Sequence, residues 1–189
     1  IWQAVLAKQN DVLSQRAFVH VSGPQAAIVP DPQDRTAAAL IITAVKAVST
    51  YSDPFNNTTN PKSIPGAVML YTVTVVNSGL ASVDADSMAV TDPISTNTIM
   101  CVSALCSNPP VAFTCSAIPA CGLTYNYAAA VTYTNQPGGV GPYNYTPVPD
   151  ASGFDAAVTG FRVNPAGAFN GVGGPPYSQF TLQFRVKVK

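Results

Sequence analysis

At 189 residues the chain is long enough for one large domain with its own hydrophobic core. Charged residues make up only 10% and nine basic residues balance nine acidic ones, so the chain lacks the basic footprint of a nucleic-acid or polybasic membrane-surface protein. A hydrophobic content of 47% excludes intrinsic disorder, and no apolar run is long enough to span a membrane. All nine acidic residues are Asp, and the absence of Glu, a helix former, favours an all-β chain.

The first part of the chain is predicted to be an extension outside the main domain. Residues 1–36 form this extension, and a β-sandwich follows over residues 37–189. Within residues 1–22 the apolar side chains follow helical spacing, which permits an amphipathic helix, whereas an extended arm is the alternative. Residues 17–21, Ala-Phe-Val-His-Val, are strand-like in either case. The candidate assembly residues of this segment are Trp2, Val5, Leu6, Phe18 and Val21.

The stretch from Ile64 to Gly79 organises the predicted domain. It opens with Pro65-Gly66, a turn signal, because proline presets φ and glycine accepts positive φ. A strand follows, with Met69, Tyr71, Val73 and Val75 on one side, and Asn77-Ser78-Gly79 ends it with turn chemistry. A second strand over residues 87–91 is closed by Asp92-Pro93, because proline cannot donate to an interior ladder.

These residues carry a resemblance to a known family. The pattern Pro-Gly-Ala-x-x-x-Tyr-Thr-Val-Thr-Val-x-Asn-Ser-Gly, followed by Val-Thr-Asp-Pro-Ile, resembles the bacterial conserved-repeat family (domain of unknown function eleven). The resemblance runs from about Lys46 to Ile94 and is weaker from Phe154 onward. It implies an immunoglobulin-like antiparallel β-sandwich of a secreted or cell-surface protein, and it supplies no catalytic residues.

Further strands are predicted on both sides of the organising stretch. The last one alternates apolar residues with basic ones, Arg185, Lys187 and Lys189, and this outward charge is typical of a guarded sheet edge. The sequence contains no second copy of the organising stretch, which indicates a single unit. The remaining predicted strands cover residues 38–48, 98–102, 111–114, 123–133 and 154–163.

Four cysteines lie within 21 residues, at Cys101, Cys106, Cys115 and Cys121. Their spacing matches no zinc pattern, and four cysteines allow three pairings. We predict the local pairs Cys101–Cys106 and Cys115–Cys121, with the nested pairing as the alternative, in a disulfide-bearing excursion over residues 101–121. Structural disulfides indicate an oxidising compartment, and the start at Ile1 rather than Met suggests a removed leader. The predicted location is therefore extracellular or at the cell surface.

The residues offer little for catalysis, metal binding or cofactor binding. The one histidine, His20, lies in a strand-like run, where a structural role is the commoner one. The closest carboxylate pair, Asp84 and Asp86, is predicted to lie in a turn, and with Asp31 and Asp34 it lacks the dense oxygen pattern of a calcium loop. We predict no enzyme activity, no catalytic residue, no metal site and no cofactor.

Two functions from different classes follow from these patterns. The first is a secreted structural subunit that polymerises with itself into a filament or matrix, because a sparsely charged, neutral surface resists self-association poorly. Its N-terminal segment would dock on the next subunit, either as a donated strand or as a helix. The alternative is an adhesin-like module that binds a glycan or a protein through Tyr143, Tyr145 and Tyr177, since exposed tyrosine is common at recognition surfaces. Six of the eight tyrosines lie in the second half of the chain, although amphipathic packing explains such a cluster equally well.

Overall fold

The computed structural model describes residues 39–189 and, as backbone strands alone, residues 3–4 and 18–21. These residues form two antiparallel sheets that pack face to face, which confirms the predicted all-β sandwich. The strands are β1 (Gln3–Ala4), β2 (Phe18–Val21), β3 (Ile42–Ser52), β4 (Val68–Asn77), β5 (Met88–Pro93), β6 (Thr98–Cys101), β7 (Val111–Cys115), β8 (Leu123–Thr124), β9 (Val131–Thr134), β10 (Phe154–Asp155), β11 (Gly160–Val163), β12 (Ala166–Gly167) and β13 (Ser178–Val188).

The two main sheets have five strands and six strands, and the sixth strand of the second sheet, β7, lies off its linear order. Sheet A has the order β1-β2-β5-β11-β9, and sheet B has the order β10-β6-β13-β4-β3. Strand β7 also pairs with β13, and β8 and β12 form a small third sheet. The pairings are antiparallel throughout the described strands. The sandwich therefore includes a strand, β2, from the segment predicted to be an extension.

The alternation of strand β4 decides which face of sheet B meets the core. Met69, Tyr71, Val73 and Val75 are buried, as the period-two pattern predicts, and the residues between them are half-buried. The turn predicted before this strand is present, and Gly66 has a φ of 84°, which favours glycine. Across the core, the ring of Phe161, on β11 of sheet A, meets the ring of Phe184, on the neighbouring strand β13 of sheet B, with their centroids 4.8 Å apart.

Strand β13 is central and not the guarded edge that its charges indicate. It pairs with β4 over ten residues on one side and with β6 and β7 on the other. The charged side chains serve packing on the outer face of the sheet. Arg185 lies over the ring of Tyr51, at 3.7 Å from its centroid, and donates from Nη1 to the carbonyl oxygen of Cys106. The cationic stems thus cover apolar surface, which alternation alone does not distinguish from edge protection.

Two of the predicted strands are broken in the structure. Residues 123–133 span β8, a one-turn helix α1 (Tyr127–Ala130) and most of β9. The side chain of Asn126 caps the helix by accepting from the backbone N–H groups of Ala128 and Ala129, which favours a helical turn at this point. Residues 154–163 form β10 in sheet B and β11 in sheet A, so the chain crosses between the sheets there.

Candidate functional site

The candidate assembly residues fall in the part of the chain that the structure describes least. Trp2, Val5 and Leu6 lie outside the described residues. Phe18 and Val21 begin and end β2, whose backbone pairs with β5 in the register Phe18 with Thr91 and Val21 with Met88. The strand-like character predicted for residues 17–21 is therefore confirmed for residues 18–21. The helix predicted as one option for residues 1–22 does not extend through this strand.

Strand β5 pairs on one side with the N-terminal strand β2. Its other side pairs with β11, through residues 90–93 opposite residues 160–163. Without β2, the backbone of residues 88–91 would present unpaired N–H and C=O groups at the edge of sheet A. Val90 and Met88 are fully buried, so this acceptor strand belongs to the core of the sandwich. A strand added here is held by main-chain bonds at a fixed register.

A second edge lies at the opposite sheet, along β3. Within the described residues β3 pairs only with β4, over almost its whole length of eleven residues. Ile41, Val45 and Val48 at this strand are 48%, 64% and 41% exposed. Long apolar edges of this kind favour association with another chain.

A buried ion pair joins strands β3 and β5 through the core of the sandwich. Lys46, on β3, reaches across to Asp92, on β5, and Nζ donates to Oδ1 at 2.7 Å. The carboxylate is fully buried and the lysine side chain is 10% exposed. Burial raises the pKa of Asp92 to about 6, although the attraction of Lys46 opposes this shift. Burial likewise lowers the pKa of Lys46, because desolvation disfavours the ammonium form.

Sequence reasoning missed this pair. Neither the strand-ending Asp92-Pro93 nor the family resemblance that begins at about Lys46 indicates a contact between the two residues. The available signal is that each charge interrupts an apolar strand, in Thr-Ala-Val-Lys-Ala-Val and in Met-Ala-Val-Thr-Asp. Charged residues are rarely fully buried unless paired, so two such interruptions indicate a partnership.

The two disulfides join the cysteines in the local pairing. Cys101 bonds to Cys106 and Cys115 to Cys121, with Cα–Cα distances of 5.9 and 5.6 Å. They link the ends of β6 and β7 to the loops that follow those strands. All four cysteines of the chain are therefore bonded. Disulfides are typical of proteins from oxidising compartments such as the cell exterior.

The tyrosines of the predicted binding loops use their hydroxyls within the fold. Tyr143 donates to the carbonyl oxygen of Gly139 at 3.0 Å, and Tyr145 donates to Oδ2 of Asp155 at 3.0 Å. Desolvation and the neighbouring Asp155 carboxylate raise the pKa of Tyr145. Tyr177 lies apart in the chain, before β13, and is 37% exposed. The hydroxyls of Tyr143 and Tyr145 thus have partners within the fold, so these two tyrosines have a structural role.

The carboxylates considered for catalysis or calcium also serve the backbone. Asp86 has a φ of 61° and accepts at Oδ1 from the N–H of Gly167, which fixes the turn that contains Asp84. Residues 31 and 34 lie outside the described part of the chain. Within residues 39–189 no group of three His, Cys, Asp or Glu side chains is placed to hold a metal ion. The helices found there are also too short to cross a membrane.

Asn56 and Asn57 each begin an Asn-x-Thr pattern, the acceptor sequence for N-glycosylation, and they lie in a loop built around one carboxylate. Asp53 accepts hydrogen bonds from the backbone N–H groups of Phe55, Asn56 and Lys62. These bonds, above all the one from Asn56, hold the pKa of Asp53 down at about 2. The loop therefore has a defined shape, which a random polar loop lacks.

Replacing Asp53 with asparagine is expected to destabilise the protein more at about pH 5 than at about pH 2. A carboxyl group with a lowered pKa stabilises the fold above its unfolded value of 3.8, and that contribution is lost as the pH falls through about 2. Urea unfolding of the wild type and D53N at the two pH values measures the difference. The matched control is D84N, at an exposed carboxylate that accepts no hydrogen bond in the described structure. A D53N effect that does not change with pH would contradict this role.

Comparison of the chain with protein-family models, with curated proteins and with solved structures gave no match. The resemblance to the conserved-repeat family therefore stays a prediction from its motif residues.

Proposed function

We propose that this protein is a non-enzymatic structural subunit of a secreted extracellular filament or matrix, joined to its neighbours by strand exchange. The observation that supports this most is the pairing of β2 with β5. A strand from the N-terminal segment, 20 residues before β3, completes the edge of a sheet in the main domain. The same four residues fit the same edge of a second copy in the same register.

Strand exchange needs no new interface chemistry. When an identical element moves from its own domain to that of a neighbour, every contact is retained, and this is the low-cost route of domain swapping. Each subunit would donate residues 18–21 and accept the same residues at β5, so the contact runs head to tail. Head-to-tail contacts that do not close into a ring generate a fibre.

Two further observations support assembly outside the cell. The apolar side chains at the β3 edge give a second surface on which copies can associate, and the surface has few charges to keep copies apart. The two disulfides fit the oxidising conditions of secretion. The hydroxyl contacts of Tyr143 and Tyr145 make the adhesin-like alternative the weaker one.

A cysteine pair at positions 19 and 90 tests the exchange. Val19 and Val90 are cross-strand partners in the register of β2 and β5, so V19C/V90C places two thiols within disulfide reach. After mild oxidation we expect a ladder of covalent multimers on a denaturing, non-reducing gel. V19C alone is the matched control and should give no ladder.

The opposite outcome is equally clear on the same gel. If the cross-linked double variant runs only as a monomer while electron microscopy shows intact fibres, the strand pairs within its own chain and the exchange mechanism is wrong. If no fibres form from the native protein, the structural-subunit proposal itself is wrong.

A further inference from the structure

The contact between Lys46 and Asp92 brings the amine close enough to the carboxyl group to react with it, as well as to form an ion pair. Nζ lies 2.7 Å from Oδ1. An amine hydrogen-bonded at this distance lies roughly 3.5 Å from the carboxyl carbon, at the outer limit of a near-attack separation. The two residues belong to different sheets, so a bond between them would join the halves of the sandwich.

The surroundings of the pair keep water out. Lys46 Nζ lies 4.5 Å from the ring centroid of Tyr71 and 5.3 Å from that of Phe184, and these two rings stack on each other. Phe161, on β11, is the cross-strand partner of Asp92 and is fully buried. Aromatic faces attract an ammonium group, but they neither accept a proton from it nor replace the water that would hydrate it.

The carboxylate of Asp92 is incompletely satisfied. Oδ1 accepts from Lys46, whereas the second oxygen, Oδ2, is buried and has no hydrogen-bond partner among the described atoms. A buried charge with one unpaired oxygen is costly, and neutral forms of both groups are favoured in such a setting. Burial raises the pKa of Asp92 and lowers that of Lys46, so both shifts favour the neutral forms, a carboxylic acid and an amine.

We propose that Lys46 and Asp92 condense into an intramolecular isopeptide bond that links β3 of sheet B covalently to β5 of sheet A. A proton first passes from the ammonium group to the carboxylate, which gives an amine and a carboxylic acid. Nζ then attacks Cγ and forms the C–N bond. The carboxyl hydroxyl leaves with one amine proton as water when the C–O bond breaks, so no oxidant, reductant or activating group is needed.

Burial favours this condensation in two ways. The fixed, close placement of the two groups replaces an encounter in solution, and well-oriented intramolecular reactions reach effective molarities of about 10⁵–10⁸ M. The product carries no charge, so the desolvation cost of two buried ions disappears. The exposed pair Lys187–Asp150, 3.5 Å apart with a 48% exposed carboxylate, has neither advantage and stays an ion pair.

The proposal does not depend on strand exchange, because the bond lies within residues 39–189 of one chain. It would suit a structural subunit, since a covalent link between the sheets resists mechanical and chemical unfolding.

The test is the intact mass of the full-length protein after disulfide reduction and denaturation. We expect a mass lower than the sequence mass by one water molecule. Trypsin should then fail to cleave after Lys46, and peptide 36–62 should be recovered joined to peptide 63–162. The variant K46R keeps the charge but cannot form this amide, so it should show the full mass. The matched control K187R, at the exposed pair, should keep the loss of water.

A wild-type mass equal to the full sequence mass, with normal cleavage after Lys46, would overturn the proposal without reference to any variant. A loss of water that persists in K46R would overturn it as well, because the loss would then arise elsewhere in the chain. The intact mass and the cleavage after Lys46 can be measured whether or not the protein forms fibres.

Discussion

Replacing Lys46 with alanine is expected to lower the free energy of unfolding by about 3–5 kcal/mol, the usual cost of removing one partner from a buried ion pair. The substitution leaves Asp92 fully buried without its partner and opens a space beside the stacked rings of Tyr71 and Phe184. Urea unfolding of the folded wild type and K46A measures the difference. The loss is expected for the ion pair alone, and an isopeptide bond adds to it.

The effect of K46A is also expected to depend on pH. Removal of Lys46 takes away the attraction that lowers the pKa of Asp92, so burial raises that pKa above the value of about 6 in the native protein. A raised folded-state pKa gives stability that is fully present below the unfolded value and is lost as the pH rises through the folded value. K46A should therefore be closer to the wild type at about pH 4 than at about pH 7.

Two control variants make this prediction sharp. K62A removes an exposed lysine and should change stability by no more than about 0.5 kcal/mol. The double variant K46M/D92L replaces the pair with apolar side chains and should recover most of the stability, because well-packed hydrophobic residues often replace a buried pair without loss. Wild-type stability in K46A would show that the pair contributes nothing.

Removing residues 1–22 is expected to abolish polymerisation completely. The shortened chain, residues 23–189, lacks β2 and leaves the edge of β5 at residues 88–91 unpaired. The core strands of both sheets remain, so the fragment should stay folded but monomeric. Size exclusion and electron microscopy, beside the full chain, measure the change.

A peptide restores what the truncation removes. A synthetic peptide of residues 15–22 should bind the fragment, whereas a scrambled peptide of the same composition should not, because the register pairs Phe18 with Thr91 and Val21 with Met88. Fibres that still form from residues 23–189 would place the contact elsewhere, with the apolar β3 edge as the next surface to test.

Lys46 also has an alternative role, protection of the β3 edge, and the same experiments distinguish it from the isopeptide bond. An inward-pointing charge on an edge strand is a known device against unwanted edge pairing, and β3 is such a strand in the described structure. In that case the wild-type mass is the full sequence mass, and K46M/D92L associates through β3 more readily than the wild type. If the isopeptide bond forms, the water loss is seen in the wild-type chain.

The sequence by itself determined the fold class and the main strands of the domain. Period-two alternation identified β4 and its core face, because the pleat of a strand fixes which side chains share a face. Turn chemistry located Gly66 and Asn77, and Asn77 Nδ2 donates to the carbonyl oxygens of Ala81 and Asn170 in the buried corner that it closes. The two local disulfides were predicted from the sequence, with the nested pairing left open, and the structure shows the local pairs at sequence separations of 5 and 6 residues.

Only the tertiary structure decided which strands are central and which charges meet. The charges of β13 predict an edge, but pairing partners far away in sequence place it in the middle of sheet B. Lys46 and Asp92 lie 46 residues apart and in different sheets, and no local pattern encodes their contact. Local propensity and alternation act over a few residues, whereas sheet order and buried pairing depend on how distant strands pack. Sequence patterns therefore predict the individual strands and turns, whereas the candidate site can be recognised only in the folded structure.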